Sequence, residues 1–148
     1  MIRIQNILVP LDFSKGSTNA AHFAASLAQA HHARLYVLHV KEPFPVHARI
    51  MAGSQEDVQK QRIHKEKDQL AQVIPAKLKN AITVEEIQVT GMPFAQVIVE
   101  MARKLGVDVI VIASQAPKGL MRFLKKDLAQ KVLRDAPCSV FVVRSSRG

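Results

Sequence analysis

Hydrophobic positions in this chain follow two rhythms. Short aliphatic runs bounded by Pro, Gly or Asp alternate with longer stretches in which small or aliphatic residues recur every three to four positions. Residues 4–10 read I-Q-N-I-L-V-P, a strand stopped by proline. Asp12 and Ser14 behind it are both good helix N-cap types. Over residues 15–32, Ala20, Ala21, Ala24, Leu27 and Ala28 repeat at helical spacing, with small side chains that allow close packing on a sheet. Residues 34–40 hold Leu35, Val37, Leu38 and Val40 and predict a second buried strand. Residues 41–52, with Pro43, Pro45 and Gly53 just beyond, read as a loop.

Ser54 with Asp57 three residues later is a capping-box-like start, and the charged amphipathic stretch to about Leu78 predicts one long helix. Residues 82–90, I-T-V-E-E-I-Q-V-T, form a third strand closed by Gly91 and Pro93. A helix over 94–105 carries Val97, Ile98, Met101 and Ala102 and stops at Gly106, a left-handed cap. Residues 108–113 contain the continuous run V-I-V-I, a strand covered on both faces. Residues 114–123, with Pro117 and Gly119, are a loop; Leu128, Val132 and Leu133 give a last helix over 124–135, and S-V-F-V-V-R from Ser139 to Arg144 a fifth strand. Strands separated by helices call for an α/β doubly wound domain with a parallel sheet and helices on both faces. Ligands of such folds sit outside the carboxyl ends of the strands, where strand order reverses. The segments that begin at Pro10 and Ala113 are therefore the ones to watch.

Composition narrows the classes without naming a function. A chain of 148 residues, 48% hydrophobic and 22% charged, is one folded domain over residues 1–148. No uncharged apolar run reaches bilayer length and the first residues lack a signal-peptide pattern, so a cytoplasmic protein with no membrane partner is expected. Cys138 is the only cysteine, which excludes an internal disulfide framework. The formal net charge of +9 favours encounters with polyanions. With one Tyr, no Trp and no recognition-helix pattern, nucleic acid is expected to bind at most weakly and without sequence preference.

Taken together, N-I-L-V-P-L-D-F-S at 6–14, L-Y-V-L-H-V at 35–40, V-T-G-M-P at 89–93, D-V-I-V-I-A at 108–113 and K-V-L-R-D-A-P-C-S-V-F-V-V-R at 131–144 resemble the universal stress protein family over nearly the whole chain. The resemblance implies a five-stranded parallel sheet in the order 3-2-1-4-5, a cytoplasmic homodimer or larger assembly, and a role in stress survival. ATP-binding members carry Gly-x-x-Gly, nine residues, then Gly-Ser or Gly-Thr, whose backbone N–H groups and hydroxyl cradle phosphate. Aligned on the flanking V-I-V-I and A-Q-K-V-L, this chain has Ala113, Ala116, Lys126 and Asp127 at those four positions. Pro10, Asp12 and Val40 stand where members line the base and ribose. The resemblance is to the branch that does not bind ATP. No cofactor is expected, and ATP or another adenine nucleotide would bind weakly: two like charges about 4 Å apart cost on the order of 4 kcal/mol at an effective dielectric near 20.

Asp12 has two roles open to it, a ribose or base acceptor and a helix cap. Lys118, Arg122, Lys125, Lys126, Lys131 and Arg134 could meet phosphate, nucleic acid or an acidic partner, or form a solvated face. Lys126 could replace the lost N–H groups for a small anion. His22, His31, His32, His39, His47 and His64 show no metal-ligand spacing, and no nucleophile elbow, P-loop or dinucleotide fingerprint is present. Neither a metal site nor an enzymatic activity is expected. A non-catalytic stress protein acting through dimerisation and protein partners, and an adenine-nucleotide sensor using the base-side pocket, are the two readings. The expected dimer contact is Ser139–Arg144, an apolar sheet edge.

Overall fold

In a computed structural model, described over residues 1–43, 56–114 and 127–144, the chain forms β1 (Asn6–Pro10), α1 (Lys15–His31), β2 (Arg34–Lys41), α2 (Glu56–Val73), α3 (Ala76–Lys79), β3 (Val84–Thr90), α4 (Phe94–Lys104), β4 (Val109–Ser114), α5 (Leu128–Asp135) and β5 (Ser139–Arg144). All strands are parallel, in the order β3-β2-β1-β4-β5. Alternating side chains divide between two cores. Ile7, Val9, Leu35, Val37, Val111 and Ala113 meet the small residues of α1, with Leu70 and Ile74 of α2. On the opposite face Leu8, Tyr36, Leu38, Ile110 and Ile112 meet Ile98 and Ala102 of α4 and Val132 of α5. Both faces of the inner strands are thus covered, as their unbroken aliphatic runs require.

The helix predicted to run from Ser54 to about Leu78 breaks. Helix α2 stops at Val73 and α3 restarts at Ala76, because Pro75 has no N–H to donate and disfavours helical backbone at Ile74. Carbonyls left over at the end of α2 find donors elsewhere. His22 Nε2 lies 2.9 Å from the Val73 carbonyl and Lys79 Nζ donates to that of Ala71. Ser54 and the expected start of the last helix at Leu124 lie outside the described residues, as do 44–52 and 115–123 of the two expected loops.

Smaller differences at the strand starts have equally local causes. Strand β1 begins at Asn6, not Ile4, because the Asp108 carboxylate accepts the Gln5 and Asn6 N–H groups at 2.8 and 2.9 Å. Strand β3 begins at Val84, since Ala81 and Ile82 donate back to the Leu78 carbonyl. Two helix ends are left-handed: Gly106, as expected, at φ 60°, and His32, at φ 53°, which caps α1 instead of belonging to it.

Candidate functional site

At the carboxyl ends of β1 and β4 the sheet order reverses, and the turn from β1 into α1 stands there. Its residues are tied to one another. Ser14 is the N-cap of α1, accepting from the Ser17 N–H. Asp12 Oδ1 accepts from the Ser14 N–H at 3.0 Å, the Ser14 hydroxyl at 2.5 Å and the Ser17 hydroxyl at 2.6 Å, and Ser17 Oγ accepts from the Asp12 N–H. Ser17 is buried, at 5% exposure. Between Asp12 and Ser14, Phe13 adopts φ 62°, a left-handed conformation that costs a bulky residue about 1 kcal/mol or more. Strand β2 holds it there. The Phe13 ring packs on the His39 ring at 4.7 Å, and His39 Nδ1 lies 2.8 Å from the Leu11 carbonyl. A carbonyl only accepts, so Nδ1 carries the hydrogen.

The base-side candidates fall on different sides of this turn. Pro10 and Val40 are half-buried, and by strand alternation with Leu8 and Leu38 both face the α4 side. Asp12 sits beyond the strand end, its Oδ1 committed to the serines. Its observed place is two residues outside the cap: Ser14 caps the helix and Asp12 locks Ser14 and Ser17. On the phosphate side, Ala113 is 9% exposed and packs in the α1 core. Asp127 is exposed at the N-terminus of α5, and its side chain makes no capping bond. Ala116 and Lys126 lie outside the described residues, as do Lys118, Arg122 and Lys125. The structure therefore brings together the Leu11–Ser17 turn and His39, while Ala113 points away from the α4 side on which Pro10 and Val40 lie.

His39 and Phe13 escaped the sequence reading. Nothing in L-Y-V-L-H-V marks the histidine as a latch, whereas D-F-S-K-G-S, with serines two and five residues after an aspartate, carries a turn signal that could have been read. Among the described residues no three of His, Cys, Asp and Glu gather as a metal site. A shallow depression of about 550 Å³ has described lining residues from α2 alone, His64 and Asp68 among them.

Exposed Lys131 and Arg134 lie on α5. Arg134 pairs with Asp135 through Nε and NH2 at 2.8 and 2.9 Å, which holds the Asp135 carboxyl below its ordinary range. Cys138 is half-buried, and burial pushes its thiol up. No helix among the described residues is long and apolar enough to cross a membrane.

Residues 3–144 match the profile of the Universal stress protein family. A universal stress protein of Methanocaldococcus jannaschii is 28% identical over 143 residues, covering 97% of this chain and 84% of that one. Among solved structures, universal stress protein UspA from Lactobacillus plantarum superposes with a TM-score of 0.74 at 24% identity, over 97% of this chain and all (100%) of its own. A universal stress protein in complex with cAMP does so with a TM-score of 0.72 at 23% identity, over 98% and 100%. With the 3-2-1-4-5 sheet observed directly and the family profile spanning nearly every residue, the chain belongs to the universal stress protein family.

Proposed function

We propose that this chain is a non-catalytic universal stress protein that works in the cytoplasm as a homodimer, through protein partners and without turnover of a nucleotide. The observation that carries this reading is the β5 edge. Phe141 and Val142 there are 47% and 38% exposed, and a strand edge that is both apolar and open to hydrogen bonding is an association surface. Support also comes from the switch point. Asp12 Oδ1 is already committed to three donors, and the Asp127 carboxylate stands at the helix start where the ATP-binding members place a hydroxyl. Asp127 is exposed, so its repulsion of phosphate follows the water figure of about 1 kcal/mol at 4 Å, severalfold in affinity, and not the fourfold larger value for a semi-buried pair. Sedimentation equilibrium and native mass spectrometry test the reading together: a dimer carrying no small molecule is expected, and a monomer or a copurified nucleotide would sink it.

A second reading is supported by the solved relative in complex with cAMP. A ligand with a single phosphate makes little demand on a phosphate cradle, while Pro10 and Val40 remain at the base side. On this reading cAMP or AMP binds better than Mg-ATP. Asp127→Ser improves ATP severalfold and leaves cAMP nearly unchanged. Titration calorimetry decides; micromolar Mg-ATP binding by the unaltered protein would show that the loop does not have the role assigned to it.

A further inference from the structure

The two flanks of β5 differ. Phe141 lies on the α1 side, its ring 4.9 Å from that of Phe23. Val140 packs in the α4–α5 core, so Val142 and Arg144 face that side by alternation. Leu133 of α5 is 56% exposed. At about 100° per residue it stands nearly opposite Asp135 on the helix, and Asp135 lies within electrostatic reach of Arg103 on α4. Leu133 therefore looks away from α4, toward the β5 flank. Exposed Arg134 adjoins it, with Asp135 offsetting part of its charge, and exposed Arg144 stands at the far end of β5.

Two β5 strands that pair antiparallel about a two-fold axis normal to the sheet continue it and keep each face on its own side. The start of one β5 then lies beside the end of the other, so Val142 near the middle of the strand approaches its own copy, while Leu133 of each copy, by the start of β5, stands near Arg144 of the other. We propose that the dimer builds there a composite groove, with Leu133 and Val142 of both copies as an apolar floor and Arg134 and Arg144 of both as a basic rim, which binds an acidic, amphipathic segment of a protein partner. This rests on the β5-to-β5 dimer proposed above. An apolar centre inside a charged rim is the anatomy of a protein interface, and matched charge sets the sign of the partner. Nucleic acid fits less well, because the exposed aromatics among the described residues, Phe23 and Phe141, are on the other flank.

The test is fluorescence anisotropy at physiological salt, with sedimentation equilibrium on the same samples. Its probes are a synthetic peptide alternating Glu and Leu, poly-glutamate of equal length, and single-stranded DNA. The Glu-Leu peptide is expected to bind about tenfold more tightly than the other two. Arg134→Glu with Arg144→Glu should weaken it by at least about tenfold, and Leu133→Ser severalfold, with the dimer intact in each. Phe141→Asp, and the milder pair Phe23→Ser with Phe141→Ser, should abolish dimer and binding together in protein that circular dichroism shows to be folded. DNA binding as tight as that of the peptide overturns the proposal, and so does a monomeric variant that binds like the unaltered protein. A dimer that binds no peptide sinks the groove and leaves the dimer standing; an unaltered protein that is monomeric removes both.

Discussion

The sheet has two edges, and they are built on opposite principles. Strand β3 ends the sheet with Glu85 and Glu86. The Glu86 carboxylate accepts from Lys79 Nζ at 2.6 Å, and Lys79 also reaches the Ala71 carbonyl. One strand further in, Lys41 pairs with Glu66 of α2 at 3.2 Å. Charge on an edge strand raises the cost of pairing it with another chain, since the carboxylates would have to be desolvated. Strand β5 carries S-V-F-V-V-R, with no charge before its last residue. Among the described residues, each edge strand pairs on one side only and offers backbone groups on the other. The side chains decide which one is protected and which one is left for assembly.

The largest expected effect breaks the sticky edge. Phe141→Asp puts a carboxylate between two copies of β5 and should shift the dimer constant by more than about a hundredfold, as burying an unpaired charge at an interface does. Phe141 is half exposed in one chain and its ring packs on that of Phe23, so the fold should lose only about 1 kcal/mol. Sedimentation equilibrium and a urea titration separate the two effects; an unchanged dimer would move the contact away from β5.

Next in size is the reverse experiment, making the protected edge sticky. Glu85→Val with Glu86→Val gives β3 an unbroken apolar run over residues 84–87 and should produce species larger than the dimer, seen by light scattering at tens of micromolar protein. If the double variant stays the size of the unaltered protein, charge is not what guards β3.

Most of this architecture was legible in the sequence, for reasons that particular residues make plain. The strands of the centre announced themselves because both faces are buried, so V-I-V-I and I-L-V-P leave no polar alternation to misread. The apolar edge at Ser139–Arg144 was visible from the uncharged run V-F-V-V, although β5 is largely exposed. Pro75 was visible too, and its break in the long helix was missed because amphipathic spacing continues across it, with Val73 and Leu78 both packing on the same core. The candidate site was less legible. Asp12 could be picked out as a cap or a ligand, but the choice depends on two serine hydroxyls converging on one oxygen, a matter of backbone path. Phe13 in left-handed backbone and His39 beneath it are held by a contact between residues 26 positions apart in the chain, and no local pattern encodes that. The inward orientation of Ala113 follows from strand parity, which one residue of uncertainty in the strand start is enough to reverse.

Lys79→Met sharpens the comparison at smaller scale. It removes the partner of Glu86 and a donor to the end of α2, both at sites that water still reaches, with side chains 29% and 26% exposed. The expected loss is about 1 kcal/mol, with no change in oligomer. A double-mutant cycle with Glu86→Gln should assign part of that loss to the pair; full additivity would mean that Lys79 acts only on the Ala71 carbonyl.

The smallest effect is one of pH and concerns the residue leading into the sticky edge. Burial pushes the Cys138 thiol above its ordinary value of 9.0, with Asp108 adding to the shift and a backbone hydrogen bond from Ile110 opposing it. The folded state thus favours the neutral thiol more than the unfolded chain does. Stability from this source is whole below the unfolded value and is lost as pH climbs from there through the folded one. The urea midpoint should therefore fall between about pH 8 and pH 10 by slightly more in the unaltered protein than in Cys138→Ala. Pairing of β5 would cover the thiol further, so iodoacetamide should modify the dimer more slowly than the Phe141→Asp monomer at the same pH. Equal rates would mean that the dimer does not shield the start of β5, and would place its two-fold axis nearer Arg144.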